Sequence, residues 1–140
     1  MTSAEYNNKD SPEDVQQLIE YVTAHVFDPD SIDVTRFYRQ WRLAKDEDAN
    51  KSVRFVIKYH IQSEDVRNAM SGLTLEQYST TSIKAGCPPA YVFGIHMPEI
   101  IDGDPEVYLK FQIDYGNGFI IVTIHEAERP MEHPYRRKGQ

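Results

Sequence analysis

The sequence Glu-Val-Tyr-Leu-Lys-Phe-Gln-Ile-Asp-Tyr-Gly-Asn-Gly-Phe-Ile-Ile-Val-Thr-Ile-His-Glu, residues 106–126, predicts two antiparallel strands joined by a tight turn. Apolar and polar residues alternate through its first half, which is the period of two that a strand with one buried face requires. Asn117-Gly118 supplies the turn, because both central residues of a type I′ turn need positive φ and these residue types tolerate it. We therefore expect this hairpin to belong to an antiparallel sheet.

A two-residue turn also fixes which residues of the two strands face each other. It sets Phe111 opposite Ile124 on an apolar face and Lys110 opposite His125 on a polar face. Opposed side chains on one face lie within about 5 Å of each other. The polar face then carries a row of five side chains, which are Tyr108, Lys110, Gln112, Thr123 and His125. We predict that this row is part of an active site.

Composition indicates a single globular domain with a real core. The chain has 140 residues, of which 40% are hydrophobic and 26% charged, close to the globular average. No apolar run approaches the roughly 18 residues of a membrane helix, and Met1 to Asp10 lacks the apolar segment of a secretory signal. Cys87 is the only cysteine, which excludes an internal disulfide and a thiolate zinc site. We expect a cytoplasmic protein without a membrane segment.

Charge is unevenly distributed along the chain. The formal net charge is −7, and residues 1–50 carry 11 acidic and 5 basic side chains, whereas residues 51–140 carry 11 and 10. The last twelve residues hold Arg129, Arg136, Arg137 and Lys138 against a single acid, Glu132. A nucleic-acid-binding surface would therefore be local, and this basic cluster is our candidate for phosphate or RNA binding.

Helices are predicted in the first part of the chain. Ser11 followed by Pro12 and two acids is typical of a helix start, and apolar residues at helical spacing continue to Val26, before Asp28-Pro29-Asp30 ends the helix. The next apolar residues, Val34 to Trp41, favour a second helix, although a strand fits the same residues. Residues 45–51 indicate a loop, and residues 1–10 a disordered lead.

A strand is predicted over residues 53–61, because apolar residues alternate there without a gap. Its polar face would carry Arg54, Lys58 and His60. A short helix should follow from Ser63 to Gly72, then one turn of helix from Thr74, a short strand at residues 91–95, and an extended tail after Glu126. The predicted class is α+β, with N-terminal helices packed on a small antiparallel sheet.

The polar side chains of the hairpin match the requirements of metal-independent RNA cleavage. Such a reaction needs a base for the 2′ hydroxyl, an acid for the leaving 5′ oxygen and cations for the phosphate. His125, Tyr108, Lys110 and His60 are residues of these types, and Arg129 could grip the phosphate. No metal or other cofactor is expected, since no histidine pair has the spacing of a known metal motif. An exposed cross-strand pair without chemistry, or a phosphate-binding surface without catalysis, fits the same residues.

Three segments resemble the motility quorum-sensing regulator type of toxin, a RelE-like messenger-RNA interferase. They are Gly72-Leu73-Thr74 before a short helix, Val107-Tyr108-Leu109-Lys110, and Ile120-Ile121-Val122-Thr123-Ile124-His125-Glu126. The resemblance covers about residues 60–128 and implies a RelE-like ribonuclease fold. It places the family's catalytic tyrosine at Tyr108 and one catalytic lysine at His125. A further family lysine falls near Thr80, which lacks its charge, and the resemblance does not place the family's glutamine.

We expect a single domain, 1–140, with a disordered lead (1–10), an acidic helical part (11–50), a core that the resemblance marks as RelE-like α+β (51–128) and a basic tail (129–140). The resemblance implies a metal-independent endoribonuclease, the toxin of a toxin–antitoxin or mobile-element system. RNA and a cognate antitoxin protein are the implied partners. The family toxins are basic, whereas this chain is acidic.

A non-enzymatic interpretation stays open beside the toxin. The chain could be a phage or mobile-element inhibitor that presents an acidic surface to a nuclease. The acids that would mimic phosphate are Asp28, Asp30, Asp33, Asp46, Glu47 and Asp48. A RelE-like domain without activity is a third possibility.

Overall fold

Five strands and four α-helices, described for residues 5–136 by a computed structural model, form an α+β fold with one antiparallel sheet. The strands are β1 Glu5–Asn8, β2 Tyr78–Lys84, β3 Ala90–Ile95, β4 Val107–Asp114 and β5 Gly118–Glu126. The α-helices are α1 Pro12–His25, α2 Val34–Leu43, α3 Glu47–Tyr59 and α4 Ser63–Ser71, followed by a 3₁₀ turn at Leu75–Gln77. The strands lie in the order β1-β2-β3-β4-β5. The predicted class is confirmed, but the helices do not precede the whole sheet, because β1 comes before α1.

Helices α1, α2 and α4 confirm the predicted starts and spacings. The Ser11 hydroxyl accepts a hydrogen bond from the Asp14 amide at 3.1 Å, and Asp33 caps α2 in the same way. The strand alternative for α2 is wrong. Thr74 and Gln77 form the predicted capping box at the 3₁₀ turn. Local capping signals therefore fix these boundaries.

Helix α3 corrects two predictions, the loop at residues 45–51 and the strand at 53–61. Asp46 caps the helix, accepting from the Ala49 amide at 2.6 Å. The buried side chains are spaced three and four apart, as a helix requires, and are Ala49, Ser52, Phe55 and Val56. The alternation of apolar residues predicted that Ile57 would be buried with Phe55, but Ile57 lies on the solvent side of the helix and is 53% exposed. His60 ends the helix in the left-handed conformation at φ 51°, so its placement on a basic strand face was wrong.

Strands β1 and β2 were not predicted. Residues 5–8 pair with β2 at the edge of the sheet, which corrects the disordered lead over that range, and residues 1–4 lie outside the described part of the chain. In β2 the register shifts between Tyr78 and Thr80 and the buried position Thr81 is polar, so a regular apolar alternation is missing. The Tyr78 hydroxyl lies 2.7 Å from the Thr81 hydroxyl, and Thr81 donates to an Asp10 carboxylate oxygen at 2.9 Å. Buried hydroxyl groups that are hydrogen-bonded in this way can occupy a strand core.

The hairpin has the predicted strands and, on β4, the predicted apolar face, but another register. Asp114 pairs with Gly118, so the connection is three residues long, and Tyr108 lies opposite His125. Lys110 lies opposite Thr123, and an irregularity before Phe111 leaves Val122 as an extra residue, as in a β-bulge. The predicted pairs Lys110–His125 and Phe111–Ile124 were therefore wrong, because they assumed a two-residue turn and a regular ladder.

The two edges of the sheet differ. Backbone groups of β5 bond to neighbouring elements: Trp41 Nε1 donates to the Val122 carbonyl at 3.1 Å, and the Ile124 amide donates to the Ser52 hydroxyl at 3.0 Å. At Gly118, which has φ 105°, a Cβ would lie 2.3 Å from the Ser31 carbonyl oxygen. Helices α2 and α3 and the turn before α2 thus cover this edge, whereas all four residues of β1 are exposed.

The two faces of the sheet also differ. Inward-facing side chains of β2 to β5 join the helices in one apolar core, and the largest fully buried of them include Tyr78, Phe93 and Phe111. The opposite face, called the outer face below, carries Tyr108, Lys110 and His125. Among residues 5–136, no helix is both long and apolar enough to cross a membrane.

Candidate active site

A groove of about 570 Å³ lies on the outer face of the sheet. Four parts of the chain form its walls: β1 with Lys9, the start of α3, the outer face of β2 to β5, and the segment after β5. That last segment, residues 127–136, is called the strap below. Tyr108 and His125 both line the groove, together with Thr80, Val92 and Lys51.

Tyr108 and His125 form a stacked pair on two directly opposed positions of β4 and β5. Their ring centroids are 5.2 Å apart and the ring planes are inclined by 4°. Because both side chains start from paired strands, the hairpin itself sets their separation. The rings therefore present a phenol hydroxyl and an imidazole side by side to the groove.

The hydrogen bonding of His125 defines its tautomer. Nδ1 lies 2.8 Å from the Glu126 carbonyl oxygen, and a carbonyl can only accept, so Nδ1 carries the proton. In the neutral ring Nε2 then has a free lone pair. A histidine held in this way can act as a general base through Nε2.

Tyr108 is kept in its neutral form. Burial raises the pKa of its phenol above the ordinary value, and the negative charges of Asp48 and Glu5 raise the pKa further. Its hydroxyl is thus a hydrogen-bond donor over the whole physiological pH range. That property suits a group that stabilises negative charge on a phosphate oxygen.

Lys51 supplies a cation to the groove from α3. Its ammonium group forms an ion pair with Glu128 of the strap. Hydrogen bonding to Glu128 raises the pKa of Lys51, and the same bond lowers the pKa of Glu128. Both groups therefore carry full charges beside His125 at neutral pH.

Glu106 anchors the strap to the sheet. Its carboxylate accepts from the Met131 amide at 3.3 Å and lies 2.7 Å from His133 Nε2. A Cβ at Gly94 would come within 2.7 Å of this carboxylate and 2.8 Å of the His133 ring, so only glycine leaves room for the pair. The His133 side chain is 4% exposed, and the strap is thereby held across the outer face.

The sequence-predicted site residues do not all meet in the groove. Tyr108, His125 and Arg129 line the groove. Lys110 lies on the same face, but its ammonium group is 3.3 Å from Glu5 and outside the groove lining. Arg136 lies 3.9 Å from Glu106, and Arg137 and Lys138 lie outside the described residues. His60, at the end of α3, does not line the groove.

Lys51 was not singled out in the sequence, and it belongs to a set of cations on α3. Lys51, Arg54 and Lys58 of α3 line a second, smaller cleft that shares His125 with the groove. The Tyr59 hydroxyl donates to Glu126, the residue after His125. The spacings of three and four between these cations match a helix, and this signal was available only once α3 was recognised as helical.

The acids proposed to mimic phosphate have local roles in the structure. Asp33 and Asp46 are N-caps of α2 and α3, and an Asp28 carboxylate oxygen lies 2.8 Å from His25 Nδ1. These acids are therefore spread over helix starts and a turn, as solvated capping residues usually are. Within residues 5–136, no three His, Cys, Asp or Glu side chains group so as to hold a metal ion.

Comparisons of the chain with protein-family models, with curated proteins and with solved structures find no match. The function of the protein has therefore to be inferred from the groove and the residues that line it.

Proposed function

We propose that the protein is a metal-independent endoribonuclease whose active site is the groove on the outer face. The observation that carries the proposal is the Tyr108–His125 pair, which places a neutral phenol donor beside an imidazole with a free Nε2 lone pair. Cytoplasmic RNA is the proposed substrate. The role is that of a toxin in a toxin–antitoxin or mobile-element system, with an antitoxin protein as its partner.

The positions carried over from the resemblance support the proposal. Thr80 is remote in sequence from the hairpin that carries Tyr108 and His125, yet all three line the same groove. Since Thr80 cannot replace a lysine, the cation has to come from elsewhere. Lys51 lines the groove and is charged.

The proposed reaction is a transesterification. His125 Nε2 takes the proton of the 2′ hydroxyl, the 2′ oxygen bonds to phosphorus, and the bond from phosphorus to the 5′ oxygen breaks. The leaving oxygen takes a proton from water of the open groove, and the hydroxide left behind removes the proton from His125 Nε2. The products are a 2′,3′-cyclic phosphate and a 5′ hydroxyl. Tyr108 donates a hydrogen bond to a non-bridging phosphate oxygen, where negative charge increases.

A comparison of RNA with DNA of the same sequence tests the proposed reaction. Purified protein should cleave an RNA oligonucleotide in EDTA and leave 2′,3′-cyclic phosphate ends. A DNA oligonucleotide of the same sequence should remain intact, because it has no 2′ hydroxyl to attack. Equal cleavage of RNA and DNA would contradict the mechanism. RNA that stays intact would contradict the activity and favour the interaction protein.

A further inference from the structure

Both lysines of the groove are paired with glutamates of the strap. Lys9 Nζ lies 3.0 Å from a Glu132 carboxylate oxygen, and Lys51 pairs with Glu128. All four residues line the groove that holds Tyr108 and His125. The strap thus places one carboxylate on each of these cations.

The two pairs are accessible to a competing anion. The side chains of Lys9 and Glu132 are 53% and 78% exposed, and those of Lys51 and Glu128 are 26% and 56% exposed. Exposed ion pairs are weak, because water screens the charges, so a phosphate can displace such a carboxylate. Lysine binds a carboxylate and a phosphate by the same point charge.

The strap is fixed independently of these pairs. The Ala127 amide donates to the Glu106 backbone carbonyl at 2.9 Å, and His133 pairs with the Glu106 side chain. Tyr135 donates to the Asp10 carbonyl and stacks on Tyr78 with centroids 6.0 Å apart. The strap backbone is held at both ends. When a phosphate breaks the ion pairs, the Glu128 and Glu132 side chains therefore stay close enough to the lysines to compete again.

We propose that Lys9 and Lys51 form the phosphate-binding site of the groove, and that Glu128 and Glu132 occupy it as intramolecular competitors of an RNA backbone. This inference rests on the proposed function. It assigns the substrate backbone to two lysines that no sequence motif marks, and it gives the strap an inhibitory role. The strap carboxylates stand where phosphate oxygens bind.

Binding, measured without cleavage, tests the inference. All proteins carry His125→Ala so that RNA stays intact, and the anisotropy of a fluorescent RNA oligonucleotide gives the dissociation constant. Replacing both glutamates (Glu128→Gln, Glu132→Gln) should tighten binding about two- to thirtyfold, the range expected when two weak, exposed ion pairs no longer compete. The matched control, Glu76→Gln with Glu99→Gln, removes the same charge from exposed positions outside the groove and should change binding less than about twofold.

Substitution of the two lysines tests whether the glutamates act by competing for them. Lys9→Gln with Lys51→Gln should weaken binding and reduce the slope of log K against log salt by about 1.4, the value for two phosphates on a single strand. In that background the glutamate substitutions should have no further effect. If they tighten binding equally without the lysines, or not at all with them, the inference is wrong while the proposed function stands. If no protein binds RNA, the proposed function fails as well.

Discussion

The two faces of the sheet use the same strands for different purposes. On the inner face, Leu109, Phe111 and Ile124 are 0–1% exposed and pack against the helices. On the outer face, Tyr108 and His125 alternate with these residues and line a groove open to solvent. Along β4 and β5, residues of the apolar core thus alternate with residues that line the groove.

Substitutions on the inner face should therefore change mainly the stability of the fold, and substitutions on the outer face mainly the proposed cleavage. Inner-face side chains lose apolar burial when shortened, so the folded state is destabilised. Tyr108 and His125 on the outer face are only partly buried, so shortening them should cost less stability than shortening a core residue. The free edge of β5 is covered by hydrogen bonds of its backbone with Ser52 and Trp41.

Phe111→Ala should have the largest effect on stability. The side chain is fully buried and packs against Phe93, with ring centroids 5.9 Å apart. Its removal should cost about 3–5 kcal/mol and lower the melting temperature by about 10 °C or more. Thermal unfolding followed by circular dichroism measures this. A melting temperature indistinguishable from that of wild type would show that the inner face is not the stabilising core.

Tyr108→Phe should act on the other face. The ring and its stacking on His125 remain, but the hydroxyl donor is lost. We expect cleavage to slow by about 10²-fold, as for removal of one donor to a developing negative charge, with an unchanged melting temperature. Single-turnover cleavage measures the rate. If the variant cleaves at the wild-type rate, the phenol takes no part in the reaction.

Tyr91→Phe should have the smallest effect, and only at high pH. Burial raises the pKa of Tyr91 from the ordinary value of 10.0 to about 12. Between these two values the unfolded chain releases the phenol proton while the folded chain keeps it, so stability falls as pH rises. The variant should therefore lose less stability than wild type over that range, as measured by melting temperature at pH values of about 9.5 and 11. The control Tyr6→Phe changes a tyrosine that is 61% exposed and should follow the wild-type curve.

The sequence predicted the parts of the fold that local signals determine. Alternation gave the inner face of β4, and capping residues such as Ser11 and Thr74 gave helix starts. The register of the hairpin depends on longer-range contacts. Val122 is the extra residue of β5 and its carbonyl accepts from Trp41, a tertiary hydrogen bond that no local pattern shows.

Only the part of the candidate site that local patterns determine could be predicted from the sequence. Tyr108 and His125 lie on one hairpin, so alternation alone placed them on one face. Lys51 lies on a helix whose alternating residues predicted a strand, and Glu106 meets His133 across 27 positions. Such residues meet only through the packing of α3 and the strap on the sheet. His60 was wrongly placed in the site because residues 53–61 were predicted as a strand, whereas they belong to helix α3 and its end.

The most direct test of the proposed active site compares His125→Ala with wild type in two assays, single-turnover RNA cleavage in EDTA and thermal unfolding. His96→Ala is the matched control, because that histidine is exposed, lies 3.1 Å from Asp104 and does not line the groove. We expect His125→Ala to cleave about 10² to 10⁴ times more slowly with an unchanged melting temperature, and the control to behave as wild type. Cleavage by His125→Ala at the wild-type rate would contradict the proposed role of this histidine as the general base.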